Sequence, residues 1–268
     1  MGLIMARANF NEVLEELAKK YVIYAPKKYE GEGTFSDTHR VRYGEIKCIE
    51  EIEFNEKSSF SYKEVLLPIT QTLFFFTETE VKEASMNEQN LLIFLRSCDL
   101  HAVRRLDEIY LRNGFEDIYY KKFREKAKFV VMGCEKSFNN CFCVDMGTNT
   151  CDHYEAYIHL AEDQVAFDIK CEELLSDAKL KAMETTEVTP KYVTENPVHV
   201  EIPEKLDLRI IYSDMWDEYS ERCIACGRCN FVCPTCTCFT MQDIFYQDNH
   251  KCGERRRVWA SCQVNGYT

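Results

Sequence analysis

The chain has 268 residues, 46% of them hydrophobic, with 33 Lys and Arg against 45 Asp and Glu, for a formal charge of −12. That length holds one large domain or two ordinary ones with a real core, and the acidic balance argues against nucleic acid as a partner. No apolar run approaches the roughly 18–20 residues that span a bilayer. The stretch from Met1 to Ala8 is too short for the apolar region of a signal peptide, Asn9 interrupts it, and Ala6 stands where a myristoylation signal needs Ser or Thr. The expectation is a cytoplasmic protein. Fifteen cysteines are too many to pass over. A secreted disulfide scaffold is usually under about 100 residues and exported, and an odd count leaves one thiol over. In a reducing cytosol such density points to metal.

In chain order, Phe10, Val13, Leu14, Leu17, Ala18 and Tyr21 form a helical stripe over residues 10–21, which is core packing. Val22 to Pro26 reads as a short strand ended by the proline. Residues 30–60 suggest a β-rich segment with loops. Val65-Leu-Leu and Leu73 to Phe76 read as apolar strands. Leu91 to Leu95 is a buried-strand run, and Ser97-Cys98-Asp99 after it can cap a helix carrying Leu100, Val103, Leu106 and Tyr110. Lys128 to Met132 is the next strand. Strand, helix, strand of this length predicts a βαβ unit with parallel strands, whose C-terminal edge is where α/β folds place ligands.

That edge receives Cys98 after the first strand and Cys134 after the second, with Cys141 and Cys143 in the following loop. These four thiols are a candidate second cluster or metal site, to be weighed against ordinary buried cysteines. Cys151 is an alternative fourth ligand, Cys48 and Cys171 read as packing, and His101 as a structural histidine. Ala156 to Ile169 predicts a hairpin and Glu172 to Met183 a helix. Pro190, Pro197 and Pro203 mark a linker over residues 184–207. Tyr212 to Arg222 and Phe239 to Tyr246 predict helices leading into and out of the densest cysteine region. The expected architecture is α+β or α/β, with a mixed α/β domain over residues 1–205 and a partial α-helical ferredoxin-type domain over 206–268.

Eight of the fifteen cysteines lie between Cys223 and Cys262. Cys223, Cys226, Cys229, Cys233 and Pro234 form C-x2-C-x2-C-x3-C-P, the run of bacterial-type [4Fe–4S] sites. Short spacings let one loop wrap a cubane and aim its amides at the sulfurs, and Gly227 permits the tight turn. Structural zinc more often splits its ligands into two separated pairs. The assigned iron ligands are Cys223, Cys226, Cys229 and Cys233. Cys236, Cys238, Cys252 and Cys262 are left open as further ligands or packing. Arg255-Arg256-Arg257 reads either as a solvated face or as a docking patch for an acidic partner. No G-x-G-x-x-G or G-x4-G-K-[ST] fingerprint is present, so an electron carrier within a larger enzyme fits better than an enzyme with its own substrate pocket.

With these residues in place, the chain resembles the iron–sulfur electron-transfer subunit of anaerobic sulfite reductase. The likeness rests on Phe35-Ser-Asp-Thr38, Pro68 to Phe74, Arg96-Ser-Cys-Asp-Leu-His-Ala102, Asn140-Cys-Phe-Cys-Val-Asp-Met-Gly147, Arg222 to Cys238 and Gly253-Glu-Arg-Arg-Arg257. A similar layout occurs in the electron-transfer β subunit of sulfhydrogenase-type hydrogenases. The resemblance implies an iron–sulfur protein that relays electrons from a flavin/nicotinamide subunit to a sirohaem subunit reducing sulfite to sulfide. It also implies that Cys223, Cys226 and Cys229 hold one [4Fe–4S] cluster while Cys233 belongs to a second. That family carries a second cysteine run downstream. Its absence before Thr268 suggests a C-terminally truncated chain. A zinc-binding structural module is the alternative outside redox chemistry.

Overall fold

The computed structural model describes residues 1–85, 89–248, 250–264 and 266–267; the end of the expected truncation at Thr268 lies outside them. The chain divides into two compact units, one of Met1–Pro68 with Ser85–Val198, the other of Ile69–Ala84 with His199–Thr268.

In the first unit β1 (Gly2–Ala6) leads into α1 (Arg7–Ala18), which buries Phe10, Val13, Leu14 and Leu17, the stripe that its sequence period predicts. β2 (Tyr21–Tyr29) and β3 (Arg40–Glu45) pair antiparallel. The prediction that Pro26 ends the strand is corrected. Pro26 pairs across from Tyr43, and its carbonyl accepts from Glu53 N–H at 2.7 Å, so its nitrogen faces away from the β3 ladder and no strand bond is lost. Val65 and Leu66, predicted as strand, lie in the single turn α2 (Lys63–Leu66). β6 (Asn90–Arg96), α3 (Ser97–Leu111), α4 (Ile118–Arg124) and β7 (Ala127–Met132) realise the βαβ unit, with β6 and β7 parallel. β8 (Ala156–Ala161) and β9 (Gln164–Ile169) form the predicted hairpin, and α5 (Glu172–Lys179) and β10 (Glu184–Thr186) complete the unit.

The eight strands run in the order β10-β1-β9-β8-β7-β6-β2-β3, with β2, β6, β7 and β8 mutually parallel. Strand alternation sends Leu92, Phe94, Val130, Met132, Ile158 and Phe167 to one face, into a single core with α1 and α5. The opposite face carries Ile93, Leu95 and Val131, all buried, and α3 packs against β6 and β7 there. This burial on both faces explains why the central strands read as unbroken apolar runs.

The second unit contains a four-stranded antiparallel sheet, β11-β12-β4-β5, from β4 (Thr70–Phe76), β5 (Val81–Glu83), β11 (Phe239–Phe245) and β12 (Gly253–Trp259). Two short helices, α6 (Met215–Arg222) and α7 (Arg228–Val232), accompany it. Two expectations are corrected. The segment from Phe239 is a strand rather than a helix, because all seven of its residues pair with β12 in register from Phe239↔Trp259 to Phe245↔Gly253. The unit is therefore sheet-bearing rather than α-helical, and it includes Leu73 to Phe76 from far upstream.

Helix α3, which carries Cys98, is tied to α4 by buried Asp107. Its carboxylate accepts from Tyr120 Oη at 2.7 Å and from Arg124 Nε at 3.0 Å. Removing it leaves a hydroxyl and a partly buried guanidinium without that acceptor. Asp107→Ala is expected to cost about 2 kcal/mol of unfolding free energy in urea; a loss below about 0.5 kcal/mol would contradict this account of the helix pair.

Candidate iron–sulfur centre

The cysteine run begins where α6 ends. Cys223 leaves the helix in an extended conformation, and its amide still donates to Ser220 O at 3.3 Å. Ala225 and Gly227 are then both left-handed, at φ 52° and 70°, on either side of Cys226. Such reversals make the chain concave and turn amides toward one side, the backbone form of many anionic-cluster sites. Ala225 N–H already donates to Cys223 Sγ at 3.4 Å. Gly227 next caps α7, which presents Cys229, and Cys233 follows its last turn. Cys223, Cys226 and Cys229 are exposed and Cys233 is half-buried.

Gly227 is required for space as well as conformation. A Cβ there would lie 2.7 Å from Val264 Cγ2 and 2.8 Å from Ser261 Cβ. The segment after β12 therefore packs directly on the cysteine loop, and Ser261 is itself buried. That segment brings Cys262, and the stretch before β11 brings Cys238, beside the first group of thiols. Asn230 accepts from Cys229 Sγ through Oδ1 at 3.2 Å, and its Nδ2 donates to Cys262 Sγ at 3.3 Å and to Cys238 Sγ at 3.8 Å. Burial raises the Cys238 thiol, but hydrogen bonds from Cys236, Tyr267, the Cys262 amide and Asn230 outweigh it and hold the group below the ordinary thiol range. Cys252 sits half-buried at the turn before β12.

The basic run does not stand free. Arg255 is paired with Asp243 through two contacts of 2.7 Å, Arg256 with Glu254, and Arg257 is 5% exposed with its Nη2 on Gln71 Oε1 at 2.9 Å. Two of the three charges are thus ion-paired within the sheet and the third is buried on an amide, so the run is not a row of three free cations.

In the first unit Cys98 is the second residue of α3, and Cys134, Cys141 and Cys143 occupy the segment after β7. Cys98, Cys134 and Cys143 lie within one another's electrostatic field. Desolvation, then Asp99, Cys134 and Cys143, pushes the Cys98 thiol well above its ordinary range, although its surface reaches solvent. Cys134 is also raised by desolvation, against Arg96, whose Nη1 donates to its sulfur at 3.0 Å. Cys151 Sγ stands 3.7 Å from Tyr192 Oη, Cys171 Sγ accepts from Lys128 Nζ at 3.4 Å, and Cys48 is half-buried near Glu50. The ring of His101 meets Thr150 O through Nε2 at 2.8 Å, a structural contact. Among the described residues no three His, Cys, Asp or Glu side chains already surround one point as ligands of a bound metal ion do.

The residues of the run fit a thiolate-ligated cluster by donor chemistry and by the left-handed turns that the loop adopts. The family described as "4Fe-4S dicluster domain" matches residues 222–268. The chain is also similar to sulfhydrogenase 2 subunit beta of Pyrococcus furiosus, at 28% identity over 229 residues, 76% of this chain and 66% of that protein. The chain thus spans just under two thirds of the length of that relative. No solved structure matches it. Among the described residues no helix is long and apolar enough to cross a membrane. The C-terminal segment thus matches an iron–sulfur domain of the dicluster type, in a chain whose other unit is a mixed α/β sheet.

The two left-handed residues make opposite predictions. Gly227→Ala introduces both a collision and an unfavourable φ, and is expected to lower bound iron after anaerobic loading several-fold. Ala225→Gly removes about 1 kcal/mol of backbone strain and is expected to keep the iron content. Equal iron in the two variants would contradict the assigned loop geometry.

Proposed function

We propose that this chain is an iron–sulfur electron-transfer subunit of a hydrogenase-type complex; the complex is the one suggested by its Pyrococcus relative, a sulfhydrogenase subunit. The observation carrying the reading is the single loop of Cys223, Cys226, Cys229 and Cys233, turned by Ala225 and Gly227 and bordered by further thiols. The likeness to the hydrogenase protein covers 76% of this chain, far more than the 222–268 domain, so it extends over most of the sheet unit too.

A [4Fe–4S] cluster held here supplies one-electron transfer. In this reading Cys223, Cys226 and Cys229 ligate one cluster and Cys233 contributes to a second, as in two-cluster ferredoxins. The Ala225 amide donates to Cys223 Sγ, withdraws charge from that thiolate and favours the reduced state. Asn230 fixes Cys229 against Cys262 beyond β12. The exposure of Cys223, Cys226 and Cys229 gives a partner's redox centre a short approach. The segment entering the loop exposes Leu208, Ile211, Tyr212, Trp216, Tyr219 and Ile224, as expected of a chain that meets other proteins of a complex.

A second reading, the iron–sulfur subunit of anaerobic sulfite reductase with flavin and sirohaem partners, is favoured by the Asn140-Cys-Phe-Cys143 and Gly253-Glu-Arg-Arg-Arg257 stretches. The two diverge in what copurifies. In an anaerobic pull-down of the chain with its native partners, the hydrogenase reading expects nickel and reduction of the iron–sulfur chromophore by hydrogen. Sirohaem absorption with oxidation by sulfite moves the assignment to the second reading. Zinc without iron or sulfide contradicts both. Trp216→Asp is expected to weaken partner retention at least tenfold while leaving the iron content of the chain unchanged; full retention would contradict a contact through this segment.

A further inference from the structure

The first unit holds a thiol group that the ferredoxin-type run does not use. β6 and β7 are parallel and in register at Arg96↔Met132, so both end at one edge of the sheet. Cys98 lies two residues beyond Arg96 and Cys134 two residues beyond Met132, at equivalent places on that edge. After β7 the chain runs from 133 to 155 without a helix or strand, and this segment carries Cys134, Cys141 and Cys143. A stretch of that length with no regular element is unusual in a compact unit and is usually functional.

It is also held in place. Asn196, 3% exposed, donates through Nδ2 to Ser137 Oγ at 2.8 Å and accepts from Val144 N–H through Oδ1 at 2.7 Å. One amide thereby brackets the Cys141–Cys143 stretch on both sides. Ser137 Oγ donates to Glu195 O at 2.6 Å, and Asn149 Nδ2 to Val193 O at 2.9 Å, so the strap 193–196 fixes the loop at four points.

The second, independent observation is Arg96. Its side chain is 8% exposed, its Nη2 donates to Phe54 O at 2.8 Å, and its guanidinium stacks over Phe138 at 4.7 Å. Its Nη1 is aimed at a sulfur, Cys134 Sγ, at 3.0 Å. Asp99 is nearby: its carboxylate takes the Arg96 main-chain N–H and Tyr43 Oη, each at 3.4 Å, and it lies in the field of the guanidinium without a direct contact like the one to Cys134. A buried cation directed at thiols is costly unless anionic sulfur offsets it. A cluster ligated by several thiolates carries such net negative charge and is tuned by hydrogen bonds to its sulfurs.

We propose that Cys98, Cys134 and Cys143, with Cys141 as the fourth thiolate, hold an iron–sulfur cluster in the first unit, and that Arg96 is the charge-compensating residue beside it. The proposal deepens the electron-transfer reading but does not depend on the run at 223–233. Binding requires the thiols of the 133–155 segment to close on the cluster while the sheet edge and the Asn196 clamp stay in place.

The test uses the full chain with Cys223, Cys226, Cys229 and Cys233 all replaced by Ser, loaded anaerobically with ferrous iron and sulfide. It is expected to retain about one cluster of iron and sulfide per chain. Adding Cys134→Ser and Cys143→Ser is expected to reduce both to background. In the otherwise unaltered chain the same pair of changes should remove one cluster's iron and leave the remainder, a measurement that does not rely on the fourfold variant folding. Arg96→Met should lower the reduction potential of the cluster that survives in the fourfold variant, and Arg96→Lys should restore part of the shift. The proposal is overturned if the fourfold variant folds and holds no iron while the parent chain holds a cluster. It is equally overturned if the site takes up zinc with no sulfide. A parent chain whose iron survives the fourfold change in full instead counts against the run at 223–233 and leaves this site standing.

Discussion

The cysteine loop depends on a close approach that only glycine permits. Gly227 reverses the chain between Cys226 and Cys229 and lies against Ser261 and Val264, where any side chain would collide. The loop's form is thereby linked to the end of β12, about thirty-five residues downstream, and through β12 to β4 from the first third of the chain. A run that looks self-contained is supported by strands distant in sequence. The same packing sets Cys262 and Cys238 on Asn230, next to Cys229, so the thiol-rich end of the ribbon and the cysteine loop form one neighbourhood.

The two thiol groups rest on different structural logic. In the second unit the thiols come from a short loop shaped by its spacing and its left-handed turns. In the first unit they come from the shared edge of parallel strands, where register puts Cys98 and Cys134 at equivalent places and a pinned loop carries Cys141 and Cys143. The first arrangement is stated by spacing within a few residues; the second emerges only after a sheet has formed. Each group has a hydrogen-bond donor directed at sulfur, Asn230 and the Ala225 amide in one, Arg96 in the other. Such donors tune the potential of a thiolate-ligated cluster.

How much was legible in the sequence follows from how local each feature is. The stripe of α1, the βαβ unit around α3 and the β8–β9 hairpin are short-range patterns, and they appear at the expected places. The sheet of the second unit was hidden because Phe76 pairs with Gly253, a contact that no local period encodes. Phe239 to Tyr246 reads as a helix because its apolar residues suit either period; pairing of Phe239 to Phe245 along the whole of β12 decides for strand. The partners of the three arginines were equally invisible, since Asp243 and Gln71 reach them only across strands. Arg96 and Asn196 carry no local signal of their own: the first lies in the Arg96-Ser-Cys-Asp-Leu-His-Ala102 stretch and the second in a proline-bearing stretch that reads as linker.

The central claim is that Cys223, Cys226, Cys229 and Cys233 hold redox-active iron–sulfur chemistry rather than a structural ion. Its most direct test is iron and acid-labile sulfide analysis of the anaerobically prepared chain, with low-temperature electron paramagnetic resonance before and after chemical reduction. Iron and sulfide in equal amounts, with a signal that appears on reduction and is altered by Cys226→Ser, is the predicted result. Bound zinc without sulfide, and no signal on reduction, would contradict the account.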